Sequence, residues 1–327
     1  HRGPRLLPQR APPGPAALSG PSVVAIGGGH GLAATLAAVR TYADDVTAVV
    51  SVADDGGSSG RIRQSVGIPA PGDLRRCLVA LADRDSLWAK VFDYRFGAGD
   101  LEGHALGNLI IAGLSQTTGD FTVAVSEAAR LLGVAGRVLP VTASPSVLRA
   151  SVNGAEVIGE VEVNTSDGPI ASVSVLGPDG GETRAHDAVV DAVAGADQVV
   201  IGPGSLFTSV LAACVVPGVC DALGARRGGR IYVANLAPEH RETEGMSLTQ
   251  HLQALGDHGV TIDVVVCDPA AFEAAGGIGP IDDPTTPLTV GDTEVPVRLI
   301  TAALAGPGGR NHHSGHLAAV LRGLVEG

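Results

Sequence analysis

The stretch SVVAIGGGHGLAA, Ser22 to Ala34, decides the architecture. Residues 22–26 are a continuous apolar, β-branched run, the pattern of a strand buried on both faces. Glycine and histidine at 27–31 break it, and apolar residues at helical spacing follow from Leu32 to about Tyr42. Strand, glycine turn and helix together form the repeating unit of a parallel α/β sheet. A second buried strand, VTAVVSVA (46–53), ends in DDGGSSG (54–60).

Outward from these two units the alternation continues. Helical patterns cover 72–83, 86–96, 107–119 and 120–134, with Asp120 placed to cap the last. Short alternating runs at 137–176 (RVLPVTA, SVLRASV, AEVIGEVEV and PIASVSVL) are separated by the turn signals NGA and SDGP, and they predict an antiparallel excursion. Helix 186–196, strand 198–202, a helix from Leu206, strand 230–236, helix 247–259, strand 261–268, a last strand over 295–302 and a closing helix complete the chain. With no internal repeat and no long linker, the expected fold is α/β: a doubly wound, mainly parallel sheet with a small antiparallel β excursion, one domain over 21–327. Residues 1–20, rich in Pro, Gly and Arg, are expected to be a flexible tail.

Composition narrows the function classes. At 327 residues, 45% hydrophobic and 17% charged, the chain can bury a large core. Aromatics are only 3%, so that core is built from Val, Leu, Ile and Ala. The formal charge, 22 − 34 = −12, argues against nucleic acid and anionic membranes as partners, and no basic patch offsets it. Cys77, Cys214, Cys220 and Cys267 form no CxxC pair or zinc spacing, and read as small buried hydrophobes in a reducing compartment. No apolar run reaches membrane-spanning length and no secretory h-region is visible. A cytoplasmic protein without membrane insertion is expected.

In open α/β sheets, ligands sit beyond the carboxyl ends of the strands. There this sequence places GGGHG, DDGGSSG, GPGS (202–205), and Asn235 ahead of LAPEH. Glycine lets the main chain approach a ligand, and the following helix start offers unpaired N–H groups. Three such turns at one rim would make a phosphate or diphosphate cradle. A rival is a nicotinamide site: residues 29–34 fit GxGxxA, and Asp54 lies 20 residues past Ala34, where a ribose-binding acid would sit. Asp55, the Gly-Gly-Ser-Ser beyond it and the second phosphate-like turn at 202–205 are not needed for that role. Three roles are open to Asp54 and Asp55: holding a divalent metal, accepting sugar hydroxyls, or capping a helix. Asp73 reads as a ligand contact or as a cap for a helix beginning at Leu74. Asn108, in GHALGN (103–108), is placed to meet a polar ligand edge, with His104 beside it. Arg310, after Gly308 and Gly309, suits a diphosphate clamp. His312, His313 and His316 lack the partners of a metal cluster. No GxSxG elbow, HExxH pair or GxxxxGK[ST] loop is expected, and nothing marks a covalent nucleophile.

The blocks VVAIGGGHGL, VSVADDGGSSGRIR, PGDLRRCLVALAD, GHALGNLIIAGL, GDFTVAVSEAARLL and VVIGPGSLFTSVLAACVVPGV resemble the YvcK-like family, the so-called gluconeogenesis factors, from about residue 22 onward. That family shares a superfamily with the 2-phospho-L-lactate transferases of deazaflavin cofactor synthesis. The resemblance implies a Rossmann-like fold and a cytoplasmic protein that binds a UDP-sugar such as UDP-N-acetylglucosamine. It also implies links to carbon-source adaptation, cell shape and peptidoglycan precursor supply, with protein partners in cell-wall synthesis. No turnover is established for that branch, whereas the transferase branch is metal-dependent. Carried over by motif, the ligand meets Gly28, Gly29, His30 and Gly31; Asp54, Asp55, Gly56, Gly57 and Ser58; Asp73 and Asn108; Gly202, Gly204 and Ser205; Asn235; and Arg310. His30 stands where the family has threonine. Phe272 stands in the region where the family has a ligand-site tyrosine. No cofactor is required on this reading; Mg²⁺ is the one expected if the acids hold a metal. Pairing of two copies through exposed apolar helices is a further expectation. The alternatives are a metal-dependent phosphotransferase and an NAD-dependent oxidoreductase.

Overall fold

A computed structural model of the chain describes residues 20–83, 85–273, 288–290, 293–295, 297–309 and 311–326. The tail expected at 1–20 lies, apart from Gly20, outside the described residues, as does Arg310. In chain order the strands are β1 (Ser22–Gly27), β2 (Asp45–Val50), β3 (Arg137–Pro140), β4 (Val147–Val152), β5 (Ala155–Ile158), β6 (Ile170–Leu176), β7 (Gln198–Ile201), β8 (Arg230–Val233), β9 (Val264–Cys267), β10 (Leu288–Val290), β11 (Thr293–Val295) and β12 (Arg298–Thr301). Seven of them form one sheet in the order β12–β9–β8–β7–β1–β2–β3, with every neighbouring pair parallel.

The chain starts in the middle of this sheet, steps outward through β2 to β3, and returns to build the other half from β7. Order therefore reverses between β1 and β7, where Ile26 lies beside Ile201. The central strands are buried on both faces, as their continuous Val, Ile and Ala runs require: Val23 to Ile26 and Val199 to Ile201 are all buried. Helices α1 (Gly29–Val39), α2 (Gly57–Val66), α3 (Gly72–Leu81), α4 (Leu87–Asp93), α5 (Leu106–Thr118) and α6 (Phe121–Leu132) follow the first two strands. Asp120 caps α6 as expected, accepting from the Thr122 and Val123 amides at 2.7 and 3.0 Å. Helix α1 packs on α3 and on the helix Ser314–Glu326.

Two expectations need correction. The run at 137–140 is not part of the antiparallel excursion. It pairs parallel with β2 as the edge of the main sheet. The excursion proper is the three-stranded sheet β5–β4–β6. Within it the run after β5, read as strand, forms a short helix, α7 (Glu160–Thr165). Asp55, distant in sequence, accepts the Glu160 and Val161 amides (3.2 and 2.9 Å) and so caps that helix. No single described helix is long and apolar enough to cross a membrane.

Candidate functional site

The turns after β1 and β7 meet at the reversal of strand order. Gly29 takes a left-handed φ of +64° to turn the chain into α1. Gly31 is required for a different reason: a Cβ there would stand 2.2 Å from the Pro203 carbonyl oxygen. The Thr35 hydroxyl of α1 donates to the Gly202 carbonyl (3.0 Å), joining the same two loops. From β8 comes Asn235, whose Oδ1 accepts the Gly204 amide while its Nδ2 donates to the Gly204 carbonyl, both at 2.9 Å. Asn235 therefore fixes the third turn in both directions. Together these loops wall a cleft of about 360 Å³, whose lining includes Gly28, His30, Gly204, Ser205, Asn235 and Glu239.

The second turn stands beside this cleft, across Asp73. That carboxylate accepts the Gly29 amide at 2.7 Å and pairs with Arg76. Helix α3 begins at Gly72, one residue before Asp73, so Asp73 does not cap a helix starting at Leu74; it reaches the first turn instead. Asp54 accepts the Gly56 amide at 2.8 Å. Burial, then the Asp73 charge, pushes its carboxyl up. Asp55 is engaged by α7, the helix-capping role among the three open to it. Glu160, at the start of α7, completes the acidic cluster. Burial and the charges of Asp54, Asp55 and Asp73 push it up to about 7. Among the described residues no group of three or more His, Cys, Asp or Glu stands in metal-holding geometry.

Ser58 links the remaining candidates. Its hydroxyl lies 3.1 Å from His104 Nδ1 and accepts the Asn108 amide, also at 3.1 Å. Asn108 is buried, and its Oδ1 has no partner. The run 56–60 does carry a G-x-S-x-G spacing. However, Ser58 is only 6% exposed, its oxygen is occupied by Asn108, and the left-handed residue is Gly57. This is a buried hydrogen-bond chain and not a nucleophile elbow. His30 lines the cleft and is held below its ordinary range by burial, then by Arg76.

The structure thus brings Gly28–Gly31, Gly204, Ser205 and Asn235 to one cleft. Gly56 and Ser58 sit with Asp54 and Asn108 in the neighbouring layer. Phe272 is a core residue, edge-on to His251 with ring centroids 5.6 Å apart, and does not line the cleft. Sequence reasoning missed Ser209, Glu239, Asn311 and His312 on the cleft walls, and Glu160 in the acidic cluster. The LAPEH turn after Asn235 could have flagged Glu239. Burial and a bond to the Ala234 carbonyl (3.2 Å) mark His312.

Comparison with known proteins places this geometry in a family. Residues 23–276 match the family described as 2-phospho-L-lactate transferase CofD. A "Putative gluconeogenesis factor" of Mycobacterium tuberculosis is 42% identical over 316 residues, covering 92% of this chain and 90% of the relative. A "Gluconeogenesis factor" of Halalkalibacterium halodurans is 40% identical over 250 residues, 75% of this chain and 77% of that protein. A crystal structure of a UPF0052 family member from Bacillus halodurans superposes with a TM-score of 0.81 at 34% identity, covering 92% of this chain and 98% of its own. Sequence relatives and structural neighbour point the same way, and the chain belongs to the CofD-like family, within its YvcK-like branch of gluconeogenesis factors.

Proposed function

We propose that the chain binds a UDP-sugar of the UDP-N-acetylglucosamine type without turning it over. In this role it is a cytoplasmic regulator linking carbon metabolism to cell-wall precursor supply and cell shape, acting through protein partners in cell-wall synthesis. The observation that carries the reading is the contact between two glycine turns at the point where strand order reverses. Gly31 lies against Pro203 closely enough to exclude any side chain. Such a crevice, with a helix starting at its floor, favours a diphosphate. Arg310 directly precedes Asn311 and His312, which line the cleft, and is the proposed cationic contact. Isothermal titration with UDP-N-acetylglucosamine tests the reading. Saturable heat with one site per chain is expected; no heat at millimolar ligand overturns it.

The acidic cluster favours one further reading, a Mg²⁺-dependent phosphotransferase of the kind the family is named for. Asp54 or Asp55 would hold the ion, which would supply charge stabilisation to a transferring phosphoryl group. With Asp55 engaged by α7, Asp54 is the acid to test. Metal-dependent release of nucleotide from a diphospho-donor, lost in Asp54→Asn, would support this reading. No release from the wild type would remove it.

A further inference from the structure

Two carboxyl groups lie under the third glycine turn, outside every role assigned above. Glu239 lines the cleft and accepts the Ser205 hydroxyl at 3.1 Å through Oε1. Its other oxygen, Oε2, is shut off from solvent and has no donor. Glu242 is 7% exposed. It accepts the Phe207 and Thr208 amides (2.5 and 3.1 Å) and the Thr208 hydroxyl (3.3 Å), so it fills the start of the π-helical turn Leu206–Leu211. The two carboxyls also contact each other. Two ionised carboxylates cannot hydrogen-bond to each other, and side by side in a partly buried site they repel. A single proton between them turns that repulsion into a bond and gives the orphaned oxygen its partner.

Among the described residues no countercharge does this instead. On their own segment, His240 pairs with Glu244, and Arg241 turns to the Thr165 carbonyl and Asp167. From β8, Tyr232 stays neutral and bonds His251 Nδ1 at 3.1 Å, and burial pushes His251 down to about 4. His30 and His312, facing the cleft from α1 and from the segment before the last helix, are both held below their ordinary range by burial. Among the described residues no ion pair reaches either glutamate.

We infer that Glu239 and Glu242 share one proton and together position the 202–205 turn for an anionic ligand, presenting one negative charge beneath the cleft where two would repel it. Glu242 ties down the turn's exit through the Phe207 and Thr208 amides, and Glu239 orients the Ser205 hydroxyl. Burial and the Glu239 charge push Glu242 well above the usual carboxylate range, so the proton is lost as pH rises. This deepens the proposed diphosphate reading and rests on it for the ligand, though the shared proton itself does not.

The test uses the full chain, wild type and Glu242→Gln, in two measurements. A glutamine keeps an acceptor for the Phe207 and Thr208 amides and donates permanently to Glu239, mimicking the protonated state. Isothermal titration with UDP-N-acetylglucosamine should show wild-type affinity falling several-fold as pH rises from about 7 to about 9 and the shared proton is lost. The same ratio in Glu242→Gln should stay under about twofold. Equal ratios in the two proteins overturn the inference. Infrared titration, with no ligand present, should show at about pH 7 a protonated-carboxyl band in the wild-type minus Glu242→Gln difference spectrum that disappears as pH rises to about 9, the Glu160 contribution cancelling between the two proteins. Its absence from that difference at pH 7 also overturns the inference. If neither protein binds the nucleotide sugar while the band behaves as described, the ligand reading fails and the shared proton stands.

Discussion

Replacing Gly31 by alanine probes the contact on which the cleft depends. The new Cβ would lie 2.2 Å from the Pro203 oxygen, 2.6 Å from the Pro203 carbonyl carbon and 3.0 Å from the Gly204 nitrogen. All three are backbone atoms, so no side chain can swing aside. Ordinary contact begins near 3.4 Å, and the two loops must part by roughly 1 Å. Overpacking of that kind costs about 1–3 kcal/mol, or about 1.5–4.5 °C in Tm for a chain of this size. The same movement pulls the α1 amides away from Gly204 and Ser205. Ligand binding should weaken along with stability. Calorimetric melting and titration with UDP-N-acetylglucosamine read the two effects separately. Gly113→Ala is the control: it lies in α5 with open space around its would-be Cβ. It should stabilise by up to about 1 kcal/mol and leave binding alone. A Gly31→Ala protein with wild-type Tm and a wild-type isotherm would refute the contact between the turns and, with it, the shared cleft.

Asn235→Ala removes both bonds to Gly204 and leaves that amide and carbonyl without partners; a loss of about 2–4 kcal/mol is expected in denaturant melts, together with weaker ligand binding. Asp55→Ala should cost about 1 kcal/mol through the uncapped α7 and leave any Mg²⁺ effect on nucleotide release unchanged; loss of that effect would make Asp55 a metal ligand after all. Glu160 is raised from 4.5 to about 7 in the fold, so the folded state favours its protonated form. Its penalty is absent below about pH 4.5, grows as pH rises, and is complete above about 7. Glu160→Gln should therefore match the wild type near pH 4.5 and exceed its Tm at pH 8; a constant difference across that range would count against the acidic cluster.

The parallel core and the three glycine turns were legible because period and punctuation are local. Continuous Val and Ile runs ending in glycine read as buried strands wherever they occur. What lay beyond local reading was pairing. Arg137–Pro140 is a four-residue run whose partner, parallel β2, cannot be inferred from its own pattern. The alternating Glu and Val of 160–163 favour a strand by pattern, yet Asp55, more than a hundred residues earlier, caps them into a helix. The same limit hid how helix starts are used. The sequence shows which turns precede helices, and only the fold shows that Asp73 bonds the Gly29 amide and Glu242 those of Phe207 and Thr208.

The Asp73 contact has an energetic consequence for any phosphate entering the first turn. The Gly29 amide already holds a tethered anion, kept in reach by its own helix and steadied by Arg76. An incoming phosphate oxygen that takes this amide must evict an intramolecular rival whose effective concentration is on the order of millimolar or higher. Measured affinity is then the difference between two anions at one donor. Moving Asp73 away, by substitution or by a cation that prefers its oxygens, would tighten binding without adding a single contact to the ligand.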